Sequence, residues 1–177
     1  MTGEDRCEPC SHGRGTPIAA FAYSDREKAV LAIARYYFTS FAAPEQQGWI
    51  AGISTALSRF GDVRGPEIAV AVLAAVQTMR RARLSTFRFN APDCPVCATY
   101  VTPHEQTLMS ALRAIARYRY EAAQGHAALL CESNESRPLL NALDTLADRA
   151  FERPEPVTAP RSPAPQRSVW VGAETQG

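Results

Sequence analysis

Asp93-Cys94-Pro95-Val96-Cys97-Ala98-Thr99-Tyr100-Val101-Thr102-Pro103-His104-Glu105 is the stretch that decides how this chain is organised. Its last four residues form a T-x-x-E capping box with proline at the first helical position, a strong local sign of a helix start. Its first five form a C-P-x-C turn, which sets two sulfurs on one side of a tight loop while the proline limits the backbone freedom lost on closing it. The combination predicts a cysteine knuckle set among helices.

Downstream of Thr102, Leu108, Leu112 and Ile115 recur at helical spacing, with Arg113, Arg117 and Glu121 outward. Gly125 is expected to interrupt this helix. A shorter helical piece carries His126, Leu129, Leu130 and Cys131, and Pro138 then starts a last helix whose stripe is Leu139, Leu143, Leu146 and Ala150.

Upstream, Ser24 or Asp25 caps a helix running to Ala42, with Asp25 and Glu27 in the first turn, where the helix dipole favours acid. Two apolar stripes, Val30, Ile33, Tyr37, Phe41 and Leu31, Ala34, Phe38, predict a central position for it. Pro44 begins a second helix that carries Trp49, Ile53, Leu57 and Phe60 on one face and ends at Gly61. Gly65-Pro66-Glu67 opens a third, with Ile68, Val72, Val76 and Met79 inward and Arg80, Arg81 and Arg83 at its close. From Leu84 to Ala91, Phe87 and Phe89 alternate with polar residues, as in one short extended segment.

These patterns predict an all-α bundle of five to six helices over residues 18–152, with the C-P-x-C knuckle at 93–104 between two three-helix clusters. Residues 1–17 read as a mobile leader and residues 153–177 as a proline-rich disordered tail. Within that tail Val169-Trp170-Val171 is an isolated apolar triplet, suited to folding back on the domain or to anchoring a partner.

At 177 residues and 46% hydrophobic content the chain suffices for one domain with a real core. A net charge of +1 creates no global field toward nucleic acid or anionic lipid. The N-terminus carries acid where an export signal carries base and an apolar run. The longest apolar run, Ile68 to Val76, falls far short of the roughly 20 residues a membrane helix needs. A soluble cytoplasmic protein, not membrane-bound, is the expectation. In such a reducing compartment the five cysteines, with two C-x-x-C pairs among them, point to metal or redox chemistry before structural disulfides.

A closed structural zinc site takes four nitrogen or sulfur ligands, and Cys94 with Cys97 supplies two at the usual spacing. His104 at the start of the capped helix and Cys131 at the end of the returning hairpin complete one set. Cys7 and Cys10, the second C-x-x-C, are the alternative partners. A thioredoxin-like C-P-x-C needs a β-α-β frame, which is missing here. No glycine-rich phosphate loop or paired acid and base suggests catalysis. A second feature is a run of arginines, Arg80, Arg81, Arg83, Arg88, Arg113, Arg117 and Arg119, interleaved with Phe87, Phe89, Tyr118 and Tyr120, which suits phosphate contact with base stacking if the helices align. The sequence thus points to a small cytosolic, non-catalytic adaptor or regulator: a zinc-stapled helical domain that binds a protein partner. The alternatives are a nucleic-acid-binding regulator using the arginines, or a thiol-based redox sensor.

Overall fold

A computed structural model describes residues 15–153, and within them the chain forms five α-helices and one short pair of strands. The predominantly helical class expected from the periodicity is what the structure has. The leader before Gly15 and the tail after Arg153, including Val169-Trp170-Val171, lie outside the described residues.

Helix α1, Asp25–Ala42, starts in a full capping box: Ser24 Oγ accepts from Glu27 N–H, and Glu27 Oε2 accepts from Ser24 N–H. It lies centrally, as its two apolar stripes require, burying Val30, Leu31, Ile33, Ala34, Tyr37 and Phe38. Helix α2, Gly48–Ala82, is two helical segments joined at Gly61, whose φ of 79° and ψ of 170° are not helical. Only glycine enters that conformation cheaply. The two halves are the second and third helices of the sequence pattern. A Cβ on Gly65 would lie 2.9 Å from the Ala56 carbonyl oxygen, whereas nine residues of unbroken helix span about 13 Å. The second half therefore turns back over the first.

The first half of α2 packs the other way round from its apolar pattern. The face turned to α1 is Gly48, Gly52 and Ala56, all buried. A Cβ on Gly48 would lie 2.6 Å from the Tyr36 carbonyl oxygen, so the backbones approach too closely for a side chain. Close approach of small residues outweighs burial of Trp49 and Ile53, which point outward.

Helix α3, Pro103–Ala116, has the predicted Thr102 and Glu105 capping box. It ends earlier than the sequence suggests. Tyr118 takes a left-handed φ of 57°, and Tyr118 and Arg119 N–H groups close on the Ile115 and Ala114 carbonyls. Gly125 lies inside α4, Tyr120–Leu130, instead of interrupting a longer helix. Helix α5, Arg137–Ala150, buries Leu139, Leu143, Leu146 and Ala150 as its pattern demands.

Strands β1, Thr16–Pro17, and β2, Tyr100–Val101, pair antiparallel with Thr16 opposite Val101. The expected extended segment at Leu84–Ala91 is a loop pinned by aromatic stacking: Phe87 and Phe89 lie 4.4 and 5.4 Å from the Phe38 ring centre. Nor do the helices form two clusters joined at the knuckle. Helix α5 packs against both α2 and α3, and one hydrophobic core runs through all five helices.

Candidate functional site

The segment from Leu84 to Thr102 carries the C-P-x-C turn across the ends of α1 and α3, and a buried ion pair fixes it there. Arg35, on α1, is 3% exposed and Glu105, on α3, fully buried; their contact is bidentate, Nε to Oε1 at 2.7 Å and Nη2 to Oε2 at 3.0 Å. The same carboxylate accepts from Asn90 N–H at 3.0 Å and from Thr102 N–H at 2.8 Å. The guanidinium also donates to the carbonyls of Ala98 and Tyr100, immediately after the turn. The buried charges are thus matched by each other and by further hydrogen bonds, the condition under which a buried charge pair is tolerated. The Asn90 side-chain amide adds a 2.8 Å bond to the Tyr100 carbonyl.

Held in this way, the turn is compact. Ala98 N–H donates to the Cys94 carbonyl at 2.9 Å, and Cys97 N–H donates to Cys94 Sγ at 3.4 Å. Cys97 is fully buried and disulfide-bonded. Cys94 is half-buried and lines a groove of about 470 Å³ with Thr39, Ala42, Gln46, Phe89 and Asp93. On the rim, Tyr36 Oη donates to Asp93 Oδ1 at 2.8 Å; burial and this carboxylate push the phenol up to about 12.

The other two members of the first zinc set belong to a different neighbourhood. His104 Nδ1 accepts from Arg88 N–H at 2.9 Å, and its ring packs on Phe87. Burial lowers its pKa, and Arg83 and Arg88 lower it further. Cys131 is a fully buried free thiol raised by burial, with Arg83 nearby. Among the described residues no group of three or more histidine, cysteine or carboxylate side chains is gathered as metal ligands. Cys94, Cys97, His104 and Cys131 are therefore not brought together as one site. Cys7 and Cys10, the alternative partners, lie outside the described residues.

The seven arginines do not form one stripe. Arg80 lies over the Phe41 ring at 3.8 Å, near the end of α1, whereas Arg113 is paired with Glu27, near its start. Fourteen residues of helix separate those two points by roughly 20 Å. Arg83 is occupied by Glu132, Ser85 and the Leu130 carbonyl. Arg113 also donates to the Phe21 carbonyl. Arg81 and Arg88 are exposed at the first end, Arg117 and Arg119 at the other. Phe87 and Phe89 are taken by Phe38, and Tyr118 lies under Arg153. Glu132 pairs with Arg83, and Asp144 and Asp148 pair with Arg153.

The feature hidden from the sequence is the outward face of α2. Trp49, Ile50 and Ile53 are 48%, 46% and 36% exposed, at i, i+1 and i+4 on one side of the helix. The sequence places Trp49 and Ile53 in an apolar stripe but cannot say that the glycine face would win the contact with α1. No helix of the described residues is long and apolar enough to cross a membrane. The chain matches no protein-family model, and no curated protein or solved structure was found to resemble it.

Proposed function

We propose that this protein is a non-catalytic binding module, a small cytoplasmic adaptor or regulatory protein that presents the first half of α2 to a protein partner. The observation that carries this reading is the exposed Trp49, Ile50 and Ile53 stripe. Scattered surface apolar residues are ordinary, but a tryptophan with two isoleucines on one helical face is the composition of an interface centre. The i, i+1, i+4 spacing suits an amphipathic helix laid alongside, with Trp49 as anchor. The test compares full-length protein with Trp49→Ser/Ile53→Ser as bait under reducing conditions, with captured proteins quantified by mass spectrometry. Because neither side chain belongs to the core, the variant keeps its helical circular dichroism. A specific partner held by wild type and lost by the variant supports the reading; equal capture by both, or no specific capture, overturns it.

A thiol-based sensor is the second reading, favoured by the disulfide at Cys97. It predicts that electrophoretic mobility under non-reducing conditions shifts between peroxide-treated and thiol-reduced protein. An unshifted band removes it.

A further inference from the structure

We propose that the pocket between the C-terminal ends of α1 and α2 and the loop that follows α2 binds a small, flat aromatic carboxylate. Four phenylalanines wall it, Phe38 and Phe41 of α1 and Phe87 and Phe89 of the loop, with Arg80 and Arg83 beside them. Apolar walls with a few convergent polar groups are the composition of a ligand site. The cavity holds about 220 Å³, whereas drug-sized ligands occupy roughly 300–1,000 Å³. It therefore suits a single ring with a short substituent.

The rings are in place before any ligand arrives. Phe38 is buried in the core and stacks on Phe87 at 4.4 Å, and Phe89 lies 5.4 Å from the same ring. Phe41 and Phe89 are only half-buried, so aromatic surface remains open to the pocket. A flat ring suits such surface better than an aliphatic chain, because aromatic pairs gain more than the area they bury.

The sign of the ligand follows from the charges. Among the described residues no carboxylate lines the pocket. Arg83 is matched by Glu132, and its donors are spent on that carboxylate, Ser85 and the Leu130 carbonyl. Arg80 is differently placed. It sits over the Phe41 ring at 3.8 Å, and its Nη1 donates to Gln77 Oε1 at 2.7 Å. Among the described residues no carboxylate pairs with it, and its Nε and Nη2 have no acceptor. Nε with Nη2 is the edge by which Arg35 grips Glu105 in the core, so the fork that binds a carboxylate there is the one left open here. Thr86 adds a hydroxyl on the pocket wall that has no partner among the described residues. None of these residues belongs to the Trp49, Ile50 and Ile53 stripe, so the site stands independently of the partner-binding reading.

The test titrates full-length, isotope-labelled protein with benzoate and with its neutral amide, benzamide, up to tens of millimolar at neutral pH and constant ionic strength, following backbone amide shifts by NMR. Benzoate should give saturable shifts centred on residues 38–42 and 80–89. It should bind at least about tenfold tighter than benzamide, as a charge-assisted hydrogen-bonded pair gives. Arg80→Gln should lose a similar factor, whereas Arg81→Gln, which removes a neighbouring cation outside the pocket, should keep the wild-type affinity. Both arginines are exposed, so both variants keep the fold, as circular dichroism verifies. Absence of saturable shifts with benzoate overturns the proposal, as do equal binding of benzamide and an unaltered titration of Arg80→Gln. A matching loss in Arg81→Gln also overturns it, since that result means attraction to positive charge at large.

Discussion

Glu105 shows how much one side chain can decide. In sequence it is the last letter of a capping box, and it does cap α3, accepting from Thr102 N–H. Tertiary contact adds Arg35 and Asn90, turning a helix cap into the post to which the whole 90–102 segment is tied. Removing one member of a buried pair leaves the other charge uncompensated, at a cost of about 3–5 kcal/mol, whereas replacing both with apolar residues of similar size costs less. We therefore expect Arg35→Met and Glu105→Leu each to lower the urea midpoint sharply, and the double variant to recover part of the loss. Additive losses in a double-mutant cycle would show that the pair is not coupled.

At the scale of elements, the starts of α1 and α3 were legible because capping is local. Ser24 with Glu27 and Thr102 with Glu105 carry their partners within three residues, so α1 and α3 begin where the sequence says. Helix ends were harder to place. The end of α3 depends on Tyr118 adopting a left-handed conformation, which tyrosine accepts here with its ring stacked beneath the Arg153 guanidinium. The end of α4 is also unconventional: Glu132 and Ser133 both have positive φ. That conformation turns the Glu132 carboxylate back to accept from Ser85 Oγ and from the N–H groups of Leu84 and Ser85, joining the exits of α2 and α4. The Ser85 bond, with the Leu84 amide and Arg83, depresses the Glu132 pKa from 4.5 to about 2. A carboxylate with a lower pKa folded than unfolded stabilises the fold fully above the unfolded value and loses that contribution as pH falls through the folded one. Urea midpoints should thus decline between about pH 4.5 and 2, and Glu132→Gln should flatten that part of the profile. An unchanged profile in the variant would assign the acid sensitivity to other groups.

For the whole molecule, the important result is the continuity of the core. The sequence suggested two helical clusters needing a metal fastener, but Leu139, Leu143 and Leu146 of α5 belong to the same buried cluster as Ile68, Val72 and Val76 of α2 and Leu108 of α3. The helices therefore meet in one core without needing a fastener between two halves. Reduced, chelator-treated protein should accordingly keep its helical circular dichroism and melt in one cooperative step. Collapse of the helical signal on chelation would restore the metal to a role in the body of the fold.

The sequence by itself determined the helical class, the caps, the inward stripes of the second half of α2, of α3 and of α5, and the C-P-x-C turn, because each rests on residues within a few positions of one another. Only the tertiary structure decided that Glu105 meets Arg35, that His104 and Cys131 stand apart from Cys94 and Cys97, and that Trp49 faces outward. Those outcomes turn on which surfaces come into contact, and contact between distant segments is settled by packing: the glycine face of α2 fits against α1 more closely than its apolar face could.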